Sequence, residues 1–337
     1  METSLNKADI VVSGVRPSGK LTIGNYFGAI RNFVKLQESC DQIFCFLADI
    51  HTLTTHSDPV ELKNSVKLTT AIYLGCGLDP NKVNIYAQSE VREISELYLY
   101  LNMLAYMGEL EKTAAFKDKI RKHADNINAG LLTYPVLMAA DVLIHKGTKV
   151  PVGKDQIQHI EMMRDFGSRF NFRYQKNIFP EPQPFSFGEE PIKIPSLGGS
   201  GKMDKSGPED HAIFLIDDDK AIEKKIKRAV TDTGPTEKNS VKPESIENLF
   251  YLMELVSEKS VVADFNARYN DSTIRYGDFK KQLAEDMIQF VRPVRERILE
   301  FYHNDKLLLE VTNKGADAAR KSAQKTMKEV REVMGLK

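Results

Sequence analysis

With 47 basic and 47 acidic residues in a chain of 337, there is no global charge to draw in nucleic acid or an anionic membrane, so any such partner must be met by a local basic face. A composition of 42% hydrophobic and 28% charged residues is ordinary for a globular protein and leaves room for two domains. Three cysteines, Cys40, Cys45 and Cys76, are odd in number and lack CxxC spacing, which argues against a disulfide framework or a zinc finger. The start "METSLNKADIVVSG" lacks the basic head and long apolar core of a signal peptide, and no run reaches the roughly 20 apolar residues of a membrane span. A cytoplasmic protein with no membrane association and no protein-bound metal is expected.

Apolar runs with the look of buried strands alternate with segments of helical period through the first half. "DIVVSGV" is followed by a helix over 26–37, "QIFCFLAD" by one over 59–75, and "KVNIYAQ" by one over 94–106. "TKVPV" and a helix over about 155–170 close the series. Such alternation predicts a parallel sheet wrapped by helices, an α/β fold. Asp58-Pro59 reads as an N-cap followed by proline in the first helical turn.

From Phe179 to Glu209 the chain is rich in Pro and Gly, shows little periodicity, and is predicted to be a long loop, a length uncommon unless functional. Beyond about residue 217 it becomes charged amphipathic helix, with "RYNDSTIRYG" the clearest break. The organisation is an α/β front and an all-helical rear joined near residue 210.

Three segments carry candidate chemistry. The first strand-to-helix turn, "SGVRPSGKLTIGN", lies where parallel sheets bind nucleotides: Gly24 leaves room for a flat base, and Thr22 and Asn25 offer hydrogen bonds to phosphate or ribose. Spacing alone leaves equally open that its glycines only shape a turn. In "GGSGKMDKSG", Lys202 and Lys205 are two ammoniums on a flexible loop, suited to phosphates whose charge rises during reaction, although composition alone fits a solvated loop as well. In "TYPVLMAADVLI", Tyr134, Met138 and Asp141 share one helix face. Asp141 stands among Leu137, Met138, Val142 and Leu143, a costly site for a carboxylate unless a donor meets it, and an indole N–H is such a donor. A helix cap or a neighbouring base remains the alternative.

Together the segments resemble the paired signatures of class I aminoacyl-tRNA synthetases, with "TIGN" in the HIGH position and "KMDKS" in the KMSKS position. The longer strings "SGVRPSGKLTIGNYFGAIRNFV", "GELEKTAAFKDK", "AGLLTYPVLMAADVLI", "VPVGKDQIQHIEMMRDFGSRFN" and "IEKKIKRAVTDTG" resemble the bacterial tryptophanyl-tRNA synthetases, from about Val11 to the C-terminus. The resemblance implies activation of L-tryptophan by ATP with Mg2+, transfer to tRNA(Trp), and a homodimer. It also implies a Rossmann-type catalytic domain over 1–209, containing a helical insertion at about 108–148 and the lysine loop at 198–207. Residues 210–337 would form a helical anticodon-binding domain.

By the same resemblance Asp141 binds the indole nitrogen, Met138 packs on the ring, and Tyr134 helps hold the amino group. Gln156 reaches the substrate ammonium, while Ser13 edges the amino-acid pocket. Gly153, Lys154 and Asp155 lie at the ribose, and backbone at Ile194 lies at the adenine. Lys119 matches a lysine that reaches the triphosphate; without the resemblance Asp155 is an ordinary N-cap and Lys119 a solvated helix lysine. Lys202 and Lys205 neutralise the leaving pyrophosphate, with Thr22 and Asn25 at the phosphates. Arg16, Pro17, Ser18, Gly24, Met203, Asp204 and Ser206 complete the nucleotide site. His51, read as ending the second strand, either lines the pocket or is a satisfied core histidine. The basic faces of "IEKKIKRAV" and "RKSAQKTMKEVREVMG" offer phosphate contacts for tRNA as a group.

Arg16 stands where the family usually has glutamine, Asp204 where it has serine, and Lys154 where it has an acid. These departures bear on ATP affinity and loop closure more than on reaction type. Three other readings are a tyrosine-specific relative, a small-molecule nucleotidylyltransferase, and a synthetase paralogue that binds RNA without activating amino acids.

Overall fold

The computed structural model describes residues 5–17, 19–55, 58–113, 116–117, 127–153, 156–186, 193–205 and 207–337. Strand β1 (Ile10–Val15) leads through the opening turn into a helix built of Ile23–Asn25, a π-helical stretch Tyr26–Ile30 and Arg31–Leu36, together α1. Then come β2 (Gln42–Leu47), a short helix α2 (Asp49–Thr52), α3 (Pro59–Gly75), β3 (Asn84–Ala87), α4 (Arg92–Asn102) and α5 (Met107–Leu110). The series continues with α6 (Ala129–Leu143), β4 (Lys149–Pro151), α7 (Ile157–Tyr174) and β5 (Gln183–Phe185). The rear contributes α8 (Asp219–Arg228), α9 (Glu244–Val256), α10 (Lys259–Asn270), α11 (Tyr276–Tyr302) and α12 (Asp305–Met334).

All the strand pairings are parallel, in the order β3-β2-β1-β4-β5. Successive residues of a strand point to opposite faces, and the two cores follow that alternation. Val11, Ile43, Cys45 and Ile85 join one apolar cluster with α1, α3 and α11, whereas Val12, Phe44, Phe46 and Tyr86 join another with α4, α6 and α7. The order reverses at β1, which has β2 on one side and β4 on the other, so a crevice opens at the carboxyl ends of β1 and β4. The fold is therefore the Rossmann-type α/β arrangement with a helical C-terminal region.

Two local signals act as predicted. Asp58 caps α3 by accepting from Glu61 N at 2.8 Å, ahead of Pro59. "RYNDSTIRYG" breaks the chain between α10 and α11. The stretch expected as an uninterrupted loop after Phe179 holds the edge strand β5 instead. Pro184 is tolerated within β5 because an edge strand can spare one ladder donor.

The last helix, α12, crosses from one layer to the other. Leu308 and Val311 belong to the first cluster and Ala316, Ala319, Ala323, Met327 and Val330 to the second. At the crossing Gly315 lies against the backbone of Ile85, where any Cβ would overlap the carbonyl group. The helix thus covers the β3 edge, and a bare glycine is what lets it approach.

Candidate active site

Thr22 closes the opening turn as a reciprocal cap. Its hydroxyl accepts from Asn25 N at 3.3 Å, and Asn25 Oδ1 accepts from Thr22 N at 2.9 Å. Thr22 is buried and its polar groups are spent on this cap. The Asn25 amide nitrogen makes no hydrogen bond to the described residues. A Cβ on Gly24 would face Ile194 Cβ and the Met203 carbonyl oxygen, each at 3.6 Å. The space beside this glycine is bordered by the root of the lysine loop.

That loop is pinned at its base. Met203 N donates to Ile194 O at 2.8 Å, Ser196 N to Gly201 O at 3.0 Å and Leu197 N to His211 O at 3.0 Å. Gly199 and Gly201 hold positive φ of 92° and 76°, backbone that glycine adopts without strain. Just after the loop, Ile23 N donates to Ile213 O and Leu215 N to Leu21 O, at 3.0 and 2.9 Å, which ties it to the opening turn. Met203 is buried, whereas Lys202 and Asp204 are exposed. Burial lowers the Lys205 pKa, and the nearby Arg16 guanidinium lowers it further against the opposing charge of Asp204. Arg16 itself reaches Thr52 O at 3.5 Å and the Thr55 hydroxyl. Two cations from separate elements therefore converge on one region, an arrangement that favours a polyanion.

A cavity of ≈ 470 Å³ occupies the crevice, within the range of small-molecule sites. Its walls are apolar, from Val12, Phe46, Met138, Val142, Val150 and Met163. Asp141 also lines it, at 2% exposure. Burial holds this carboxyl well above the usual carboxylate range, opposed by hydrogen bonding from Gln88. The Gln88 amide nitrogen lies 2.7 Å from Asp141 Oδ1 and 2.9 Å from Oδ2. Ser13, Arg16, His51, Tyr134, Gln156 and His159 supply the polar part of the lining. Tyr134 meets His159 Nε2 at 3.1 Å, and burial pushes its phenol up to about 12. The cavity is a greasy slot holding one carboxylate, with polar groups along its lining.

The model of a family described as tRNA synthetases class I (W and Y) matches residues 4–292. The chain belongs to this family. It is 54% identical over 329 residues to the tryptophan--tRNA ligase of Porphyromonas gingivalis, covering 98% of this chain and 100% of the relative. It is 38% identical over 337 residues to that of Bacillus anthracis, covering 97% and 98%. Among solved structures it is similar to the tryptophanyl-tRNA synthetase of Campylobacter jejuni complexed with ADP and tryptophan, with a TM-score of 0.87, 36% identity and coverage of 97% and 99%.

In this synthetase the structure gathers Ser13, Arg16, His51, Tyr134, Met138, Asp141, Gly153 and Gln156 around the one cavity. Gly24, Ile194 and Met203 meet at the loop root, beside Thr22 and Asn25. Pro17 is buried in the turn. Ser18, Lys119, Lys154, Asp155 and Ser206 lie outside the described residues.

Two sequence readings change. His51 does not end a strand: β2 stops at Leu47, and Asp49 opens the short helix α2 by accepting from Ile50 N and from Ser89 N. The His51 ring then packs edge-on against Tyr134, with centroids 5.2 Å apart. Lys225 of "IEKKIKRAV" is no surface cation, since it is buried and paired with Asp217 Oδ2 at 2.7 Å. Sequence reasoning also passed over Gln88 and Phe46. Both lie at or near the carboxyl ends of predicted strands, where ligand contacts gather in a parallel sheet, and that position was the available signal.

Proposed function

We propose that the chain is a tryptophan--tRNA ligase that works by positioning and charge neutralisation. The observation that carries this reading is the buried Asp141, the carboxylate of a largely apolar cavity at the β1/β4 crevice and beside the anchored lysine loop. The indole ring lies between the apolar walls with its N–H on Asp141, Met138 packs on the ring, and Tyr134 and Gln156 hold the ammonium. Ser13 and His51 border the same ligand.

ATP enters as its Mg2+ complex. Adenine lies at Gly24 and Ile194, the ribose at Gly153, Lys154 and Asp155, and the triphosphate at Arg16, Asn25, Lys119, Lys202 and Lys205. Pro17, Ser18, Met203, Asp204 and Ser206 complete the nucleotide site. Thr22 acts through its cap, holding Asn25 in place. The tryptophan carboxylate oxygen attacks the α-phosphorus while the bond to the bridging oxygen of pyrophosphate breaks, and no general base is needed for an ionised nucleophile. Convergent cations stabilise the charge that grows on the leaving pyrophosphate. A ribose hydroxyl at the 3′ end of tRNA(Trp) then attacks the adenylate carbonyl, AMP leaves, and the hydroxyl proton passes to solvent.

Residues 1–209 serve as the catalytic domain and 210–337 as the anticodon-binding domain. The chain acts as a cytoplasmic homodimer. Support for the dimer comes from exposed apolar side chains of α4, α5, α7 and the α4–α5 connection, among them Met103, Tyr106, Met107 and Phe172. Arg169 of α7 links this region by bonding Leu104 O at 2.7 Å and stacking on Tyr106. Support for a cytoplasmic setting comes from the three cysteines, which are free and buried.

Amino-acid-dependent ATP–pyrophosphate exchange, screened over the twenty amino acids, tests the reading. Exchange with tryptophan alone is expected. Exchange with tyrosine would reassign the substrate, and no exchange with any amino acid would leave only an RNA-binding role. The chain contains no tryptophan, so indole emission of the ligand reports binding directly.

A further inference from the structure

Gln88 is fully buried, behind the cavity wall and not on it. It opens the turn after β3, and its side chain is held at both ends. Its Oε1 accepts from the backbone N–H of His51 at 3.1 Å. Since that N–H can only donate, the orientation of the amide is fixed and its nitrogen must face Asp141. The nitrogen then bridges both carboxylate oxygens at 2.7 and 2.9 Å.

We propose that Gln88 is a positioning residue for substrate selection, fixing the Asp141 carboxylate so that its remaining lone pairs face the cavity and accept from a ligand N–H. The inference rests on the tryptophan reading above and names a residue through which that selection acts. An amide suits the task better than a cation. Lys or Arg at this position would take the carboxylate as a salt-bridge partner and satisfy it without a ligand, whereas an amide orients the group and leaves its charge to the substrate. A buried acceptor held in this way also penalises a ligand of the same shape that brings no donor.

The test uses the full-length protein in ATP–pyrophosphate exchange with tryptophan and with benzothienylalanine, whose sulfur replaces the indole N–H. Gln88→Met keeps the side-chain length and removes the donor. Its KM for tryptophan is expected to rise by about 10- to 100-fold, the scale of a lost hydrogen bond to a charged group. Its kcat should stay nearly unchanged, because the N–H bond is made alike in the ground and transition states. Kinetics with benzothienylalanine should shift by less than about threefold, since that ligand never used the bond.

Gln88→Glu is the second variant, isosteric and still able to accept from His51. Two adjacent buried carboxylates hold one proton between them, and while it is held the introduced carboxyl can donate to Asp141, so its KM for tryptophan should lie near that of the unmodified protein at low pH and rise as pH is raised and the pair loses that proton. The titratable and charged groups around Asp141 are Tyr86 from β3, Asp49 and His51 from α2, Tyr134 on α6, His159 from α7 and Arg16 from the opening turn. All are present in both proteins, so the difference between the two pH profiles isolates position 88. Equal losses for tryptophan and benzothienylalanine in Gln88→Met, an unchanged KM for tryptophan in that variant, or a pH profile of Gln88→Glu identical to that of the unmodified protein would overturn the proposal. Failure of the unmodified protein to use tryptophan would overturn the underlying reading instead, before any variant is made.

Discussion

The backbone N–H of Ile23 donates to the carbonyl oxygen of Ile213 at 3.0 Å, so the helix that follows the opening turn and the segment that follows the lysine loop are one piece of backbone network. Phe214 pairs with Thr22 in an antiparallel bridge, and Asp217 Oδ2 accepts from Phe214 N at 2.9 Å and from Lys225 at 2.7 Å. The lysine loop therefore leads into a segment tied to the opening turn by backbone bonds, and a buried ion pair braces that segment.

Lys225→Met leaves Asp217 buried without its partner. The change is expected to destabilise the fold by about 3–5 kcal/mol and to slow amino-acid activation more than it weakens tryptophan binding. Thermal unfolding alongside exchange kinetics measures both effects. An unchanged melting temperature would show that the ion pair sets nothing.

Substitutions at Lys205 and Asp204 test the proposal that the lysine loop serves ATP and not tryptophan. Lys205→Met removes the cation proposed to meet the phosphates, and the activation rate is expected to fall by about 100-fold, the cost of losing one charge-stabilising donor. Asp204→Ser removes an anion from the loop and is expected to alter the activation rate as well. Neither touches the cavity around Asp141, so ligand indole emission should report tryptophan affinity within about twofold of the unmodified protein. A large loss of tryptophan affinity in either variant contradicts the assignment of the loop to ATP.

Gly315→Ala should displace α12 from the β3 edge, because the added methyl would overlap the Ile85 carbonyl. Overpacking against rigid backbone costs about 1–3 kcal/mol or more, which a lowered melting temperature would show. Gly108→Ala serves as the contrast: among the described residues nothing lies within 4 Å of its added carbon, and in helix α5 alanine is favoured by up to about 1 kcal/mol.

Acid sensitivity of the fold is expected from His145. Its ring is stacked on Phe44, with Nε2 at 2.8 Å from the Tyr86 hydroxyl and Nδ1 at 3.1 Å from Ser322 of α12. Burial lowers its pKa to about 3, whereas an unfolded histidine titrates near 6.5. Below that value the unfolded chain binds a proton the native protein refuses, so stability falls as pH drops from about 6.5 towards 3, by up to about 1.4 kcal/mol per pH unit. Denaturant midpoints measured across this window should lose that part of their slope in His145→Gln. Parallel slopes in the two proteins would refute the assignment.

The alternation of strand and helix, the α/β class, the cap at Asp58 and the break after α10 were legible in the sequence because each rests on a local rule. Period, turn chemistry and capping are properties of a few neighbouring residues. The helix face bearing Tyr134, Met138 and Asp141 was legible for the same reason, since positions three and four apart must share a side. Strand β5 was hidden by Pro184, which local propensity counts against a strand and only an edge position excuses.

What the sequence by itself determined is thus an inventory: a carboxylate needing a donor, two cations on a glycine-rich loop, and a turn able to admit a nucleotide. Which residues answer that inventory was decided by contacts between elements remote along the chain. Gln88 reaches Asp141 only because β3 ends beside α6, and Arg16 nears Lys205 only because Ile23 and Ile213 hold the loop to the turn. Lys225, an exposed cation by pattern, was drawn into the core by Asp217. Local patterns dictate the conformation of a segment, whereas partners depend on which segments the sheet order and helix packing bring together.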